Sequence, residues 1–164
     1  MNDLEFAIRM EVEGEQYYRQ QAEIYQNTPL QALCILMAEE EKKHGQILRK
    51  KLQNLPYDLP EGTLHKDAVS IFTHAGDMFI QGEAIASHTD FYKAIAQKEK
   101  KSIALYQEYF ERAEDLREKN ILAYLVRQEE QHLAIFEELV ELLKKAEQWA
   151  EDAEKKHREA RENL

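Results

Sequence analysis

The chain has 164 residues with 33% charged side chains, five Gly and three Pro, and a net charge of −10. That length allows one domain with its own core, and the scarcity of turn formers favours long helices over a turn-rich β fold. The acidic balance argues against nucleic acid as a partner, and no apolar run approaches the ~20 residues of a membrane span. A single cysteine, Cys34, excludes a disulfide framework and a four-cysteine metal site within the chain, and reads as a small core residue rather than a reactive thiol. The N-terminus is acidic and lacks the basic start and apolar run of a signal peptide, so a cytoplasmic protein is expected.

Four segments carry helical periodicity. The first runs from about Asn2 to Tyr25, with Leu4, Ala7, Glu11, Gly14, Tyr18 and Tyr25 on one face. The second opens at Thr28-Pro29, a favourable N-cap and first helical residue. It carries Leu33, Met37, Glu41, His44 and Leu48 and ends near Leu55-Pro56. A long stretch from Gln53 to Thr89 follows. It begins as the loop LPYDLPEGT and then holds an apolar segment, Asp67 to Ile80, expected as a short helix broken near Gly76 or Gly82. The third helix is expected from Thr89 or Asp90, with Tyr92, Ile95, Glu99, Ser102, Tyr106 and Tyr109 inward. After a turn within Asp115 to Asn120, the fourth is expected from about Asn120, with Leu122, Leu125, Glu129, His132, Phe136, Leu139 and Leu143 inward. The charged remainder continues that helix or forms another, with Trp149 as its one large apolar anchor. Short links within each helix pair make antiparallel hairpins, and the long crossover leaves helices two and three parallel. The expected fold is an all-α four-helix bundle over residues 1–146, with the one long crossover of a ferritin-like topology, and a charged helical tail over 147–164.

Four of the inward positions are glutamates. A buried carboxylate needs a partner, and here each helix supplies one. Glu41-x-x-His44 and Glu129-x-x-His132 put both side chains on one helix face. One Glu from each of two helices plus Glu-x-x-His from the other two is the ligand set of a two-metal carboxylate centre. The centre therefore comprises Glu11, Glu41, His44, Glu99, Glu129 and His132. The spacing carries more weight than the motif. Glu11 and Glu99, Tyr18 and Tyr106, Glu41 and Glu129, and His44 and His132 are all 88 positions apart. In each half the lone Glu precedes the Glu-x-x-His by 30 positions, so each pair straddles its turn symmetrically, about 20 Å from it. The tail motif Glu154-x-x-His157 lacks an apolar stripe and has Tyr124 thirty positions upstream, so it is a chance match. His65, His74 and His88 fit no ligand spacing. Tyr18 and Tyr106 are either core aromatics or hydroxyls that hold a ligand carboxylate.

These residues resemble the rubrerythrin branch of the ferritin-like superfamily. AIRMEVEGEQYYRQQAE, AEEEKKH, QKEKKSIALYQEY and RQEEQH are similar to its four helices, and EQWAEDAE to the segment that follows them in stand-alone relatives. The resemblance covers most of residues 1–154 and is specific at the ligands. It implies two iron ions, with Glu41 and Glu129 bridging them, Glu11 and Glu99 as carboxylate ligands from the other helices, and one histidine per ion. Manganese or zinc would suit the same donors. It also implies an oxidoreductase that reduces peroxide or dioxygen. Two departures stand against the family pattern. The chain carries no four-cysteine rubredoxin domain, and Ser102 stands where the family has a further glutamate. Electrons must then come from an external donor such as a rubredoxin-like protein. A homodimer is expected. A ferroxidase or iron-storage protein without turnover, and a metal-free structural bundle, are the competing readings.

Overall fold

The computed structural model describes residues 1–71 and 89–164. Helix α1, Asp3–Ile24, starts at a reciprocal cap: Asn2 Oδ1 accepts from the Glu5 N–H at 2.8 Å, and Glu5 Oε2 accepts from the Asn2 N–H at 3.0 Å. The chain turns through Asn27, whose positive φ of 62° suits a residue that tolerates the left-handed region. Helix α2, Pro29–Leu52, follows Thr28 as expected. The Thr28 hydroxyl does not cap α2. It donates to the Tyr25 carbonyl at 2.6 Å and so tightens the turn. Helix α2 stops earlier than Leu55, because Asn54 takes a φ of 54° after a basic last turn of Arg49, Lys50 and Lys51.

The crossover begins with an irregular stretch over 55–63, pinned to the bundle where the Tyr124 hydroxyl donates to the Pro60 carbonyl at 2.7 Å. Residues 64–71 are helical, starting before the expected Asp67 because Leu64 and Ala68 are buried in the core. The expected break near Gly76 or Gly82 lies outside the described residues. Helix α3 is Thr89–Arg112 and helix α4 is Leu116–Glu162. Helix α4 starts a turn before the expected Asn120. Asp115 caps it, accepting from the Arg117 N–H at 3.0 Å, and the polar first turn precedes the apolar stripe that marks the helix in the sequence.

The helix directions follow from the contacts. Arg112 pairs with Asp3, Tyr106 meets Glu11 and Tyr18 meets Glu99, so α3 runs antiparallel to α1. Lys51 pairs with Asp115 and His132 lies beside Glu41, so α4 runs antiparallel to α2. With α1 and α2 themselves a hairpin, α2 and α3 are parallel, as the crossover requires.

The interior is layered. One apolar cluster contains Leu33, Met37, Ile95, Ile135, Phe136 and Leu139 with Tyr18 and Tyr92. The other contains Ala7, Ile47, Leu48, Ile121, Leu122 and Leu125 with Tyr106 and Tyr109. In every helix the inward carboxylate falls between residues of the first cluster and residues of the second. Beyond the bundle, α4 continues as one 47-residue helix, about 70 Å long at 1.5 Å per residue. Trp149 does not anchor it: that side chain is 63% exposed, and the side chains after it are exposed to the end. No described helix is long and apolar enough to cross a membrane.

Candidate metal centre

All six residues singled out from the spacing meet at mid-bundle. Glu11, Glu41, His44, Glu99, Glu129 and His132 are each at most 2% exposed. Their donor atoms form two overlapping quartets, each with all its atoms within 4.8 Å of one another. One quartet is Glu11, Glu41, His44 and Glu129. The other is Glu41, Glu99, Glu129 and His132. Glu41 and Glu129 belong to both. Glu129 faces both ways, with Oε1 3.3 Å from His44 Nδ1 and Oε2 3.3 Å from His132 Nδ1. The imidazoles lie nearly parallel, their centroids 5.5 Å apart. Glu11 Oε2 stands 3.5 Å from His44 Nδ1, and Glu99 Oε2 stands 3.6 Å from His132 Nδ1.

The tyrosines reach across the bundle. Tyr18 of α1 donates its hydroxyl to Glu99 of α3 at 2.5 Å, and Tyr106 of α3 donates to Glu11 of α1. Each leaves the second oxygen of its glutamate turned towards the centre.

Three neighbours were not singled out from the sequence. Lys98 Nζ lies 3.9 Å from Glu41 Oε2, 3.8 Å from Glu99 Oε1 and 5.0 Å from the centre of the Tyr18 ring. Gly14 makes room for it: a Cβ there would fall 2.7 Å from Glu41 Oε2 and 3.0 Å from Lys98 Nζ. Glu40 is buried and within 4.8 Å of donor atoms of His44 and His132. A lysine beside a ligand in a chain this rich in charge carries no sequence signal of its own. Glu40 sits in a run of three glutamates, and only the fold tells them apart.

Burial and mutual repulsion govern the protonation of the metal-free cluster. Burial, reinforced by Glu41, holds the Glu11 carboxyl well above its usual range. Burial, with Glu99 and Glu41, pushes Glu129 up to about 7. Burial opposes ionisation of Glu41 too, but Lys98 and His132 outweigh it and the carboxyl lies lower than usual. The same contest leaves Glu99 low, through contacts with Glu129, His132 and Lys98. Burial pulls the imidazoles down, yet Glu11 and Glu129 lift His44 to about 10, and Glu129 with Glu41 and Glu99 lifts His132 well above its usual value. Lys98 is held protonated above its ordinary range, burial notwithstanding, by Glu41 and Glu99.

This donor set fits metal ions. Glu11 Oε2, Glu41 Oε1, Glu99 Oε2, both oxygens of Glu129 and both nitrogens of each imidazole are enclosed without a hydrogen-bond partner among the described residues. Unpaired buried donors cost roughly 1–3 kcal/mol each, and more when charged. Their convergence on two points, with four carboxylates in reach, matches the coordination and charge of two divalent cations. Oxygen and imidazole donors suit iron, manganese and zinc.

A sequence model of the family described as Rubrerythrin matches residues 2–140, the ferritin-like di-iron domain. No curated protein and no solved structure matches.

Proposed function

The chain belongs to the rubrerythrin family, and on that premise we propose that it binds two iron ions and works as an oxidoreductase, reducing peroxide or dioxygen with electrons from an external donor. The observation that carries this reading is the pair of four-residue groups sharing Glu41 and Glu129. Glu11 and His44 would complete one iron position, Glu99 and His132 the other, and the two shared carboxylates would span both. Iron held by these residues would supply the electrons that reduce an oxidant. Manganese or zinc would fit the same donors.

The protein's own share is positioning. Tyr18 and Tyr106 fix the outer carboxylates from the opposite hairpin, which keeps the inward oxygens aimed. The apolar clusters on either side bury the carboxylates, so their charge is screened less than it would be in water. Lys98, with 26% of its side chain exposed, lies 3.8 Å from Glu99. Cys34 is buried and offers no redox pair, and a rubredoxin-type electron donor is proposed to supply the reducing equivalents. A cytoplasmic homodimer completes the reading.

The test is direct. The iron-loaded protein, given a chemical or protein reductant, should consume hydrogen peroxide much faster than free iron at the same concentration. Iron uptake with no accelerated peroxide or dioxygen reduction would leave a ferroxidase or iron-binding role instead. Failure to bind iron at all would leave a structural bundle. Size-exclusion chromatography of the loaded protein separates a dimer from a storage cage.

A further inference from the structure

The ligands obey the 88-position repeat without exception, but the residues beside them do not. Lys98 corresponds to Met10, Gly14 to Ser102, and Glu40 to Gln128. Glu40 approaches both imidazoles and so does not distinguish the two halves. The other two departures do. Beside Glu99, the Lys98 ammonium sits 3.8 Å from Oε1, in the space that Gly14 leaves open. At the equivalent place beside Glu11 there is a thioether: Met10 Sδ lies 3.8 Å from the Ser102 hydroxyl, and neither group is charged. Among the described residues, Lys98 is the one lysine or arginine within 4 Å of a carboxylate of the centre.

Resting on the two-metal reading above, we infer that Lys98 makes the two metal positions unequal: the one completed by Glu11 and His44 fills first, and the one completed by Glu99 and His132 is the weaker, exchangeable position. The ammonium already satisfies part of the charge on Glu99 and repels a second cation placed against the same carboxylate. In a site screened little by solvent that repulsion persists at physiological salt. Glu41 is shared by both positions, so its contact with Lys98 weakens both. Glu99 belongs to one position alone, and that contact sets the difference. Lys98 is thus a positioning residue that acts through Glu99 on metal occupancy.

The experiment is a Mn²⁺ titration of the metal-free full chain, followed by calorimetry and by EPR, in which spin coupling reports filling of the second position. The native protein should show two steps whose dissociation constants differ by at least about tenfold, the effect of one nearby like charge. Lys98→Met, which copies Met10, should tighten the second step by about tenfold or more and move the first by less. Met10→Lys should weaken the first step and bring the two together, so the inference does not depend on one variant folding. Glu11→Gln should abolish the tight step and Glu99→Gln the weak one. Two equal steps in the native protein, or unequal steps that Lys98→Met leaves unchanged, overturn the inference and leave the two-metal reading standing. Binding of no Mn²⁺ by native protein and Lys98→Met alike overturns both.

Discussion

Replacing Tyr18 with Phe isolates what one hydroxyl contributes to the centre. The Tyr18 ring is fully buried, lies parallel to Phe136 at 6.4 Å and meets Tyr17 edge-on at 5.6 Å. Phe keeps those contacts and loses only the hydrogen bond to Glu99 Oε1. That oxygen would then face Lys98 at 3.8 Å, beyond hydrogen-bond distance. A hydrogen bond to a charged, buried acceptor contributes about 1.5–3 kcal/mol. In a chain of this size about 2 kcal/mol corresponds to a fall of about 4–8 °C in Tm. Freed of its partner, the Glu99 carboxylate also swings, and loss of a hydrogen bond that orients a ligand costs about 10–100-fold in metal affinity. Thermal unfolding of the metal-free protein by circular dichroism gives the first quantity, and Mn²⁺ competition against a chelator gives the second. A variant with native Tm and with metal affinity within about twofold of native would show that Tyr18 is only a core aromatic, and would refute the bracing argument.

Other expectations follow from the same geometry. Glu129→Leu should eliminate two-metal binding and destabilise the metal-free bundle by about 3–5 kcal/mol, because it removes the carboxylate that pairs the buried imidazoles of His44 and His132, each 3.3 Å away; a native or higher Tm in metal-free Glu129→Leu would contradict this. The pH dependence should change sign with metal. Glu129 rises from 4.5 to about 7 and His44 from 6.5 to about 10, so both contributions to the metal-free fold are present at low pH. The first is lost as pH climbs from 4.5 to 7 and the second from 6.5 to 10. Glu41 and Glu99, held low, contribute above their ordinary range and are lost in acid, which puts the stability maximum of the metal-free protein in mild acid. Metal affinity runs the other way, since bound protons compete with the ion, and loading at pH 7 should release protons into a weak buffer. A metal-free Tm that stays flat or rises between pH 6 and 9 would refute this. Ending the chain at Ala146 should shift the Tm of the loaded protein by less than about 2 °C, because the side chains described from Gln148 onward are exposed.

The parts legible in the sequence are those where chemistry and period coincide. Glu11, Glu41, Glu99 and Glu129 stand on apolar stripes, and the stripes placed them inside. The symmetric distance of each pair from its turn then placed them at one level. Helix ends were less legible, because caps are local: Asp115 starts α4 in a stretch with no apolar period, and α2 ends at Leu52, with Asn54 turning the chain just before the expected end near Leu55-Pro56. The direction of the tyrosine contacts was not readable either. Sequence spacing sets Tyr18 two turns from Glu11 on the same helix, but its hydroxyl reaches Glu99. That pairing depends on α3 running antiparallel to α1, which follows from the crossover and not from either helix alone. Lys98 stayed hidden for the same reason. Its partner is the gap at Gly14 on another helix, and neither residue signals the other.

The crosswise tyrosines also tie the two halves of this duplicated arrangement to each other. Each hairpin buries two carboxylates whose partners come in part from the other hairpin. Glu11 obtains its hydrogen bond from α3 and Glu99 obtains its own from α1. Glu129 of α4 lies between His44 of α2 and His132 of its own helix. The seam between hairpins is therefore polar at its middle and apolar above and below, and the metal-free seam carries enclosed donors that the protein leaves unpaired. Metal binding would join the hairpins at that middle layer and convert the costliest part of the interior into the strongest. Stability and metal occupancy are then linked, so a variant that loosens the centre should also loosen the packing of α1 against α3. Hydrogen exchange along Glu11–Tyr18 and Glu99–Tyr106 should slow together on loading, while the exposed end of α4 stays unchanged. Slowing confined to one hairpin would show that the two halves bind metal separately and that the shared carboxylates do not join them.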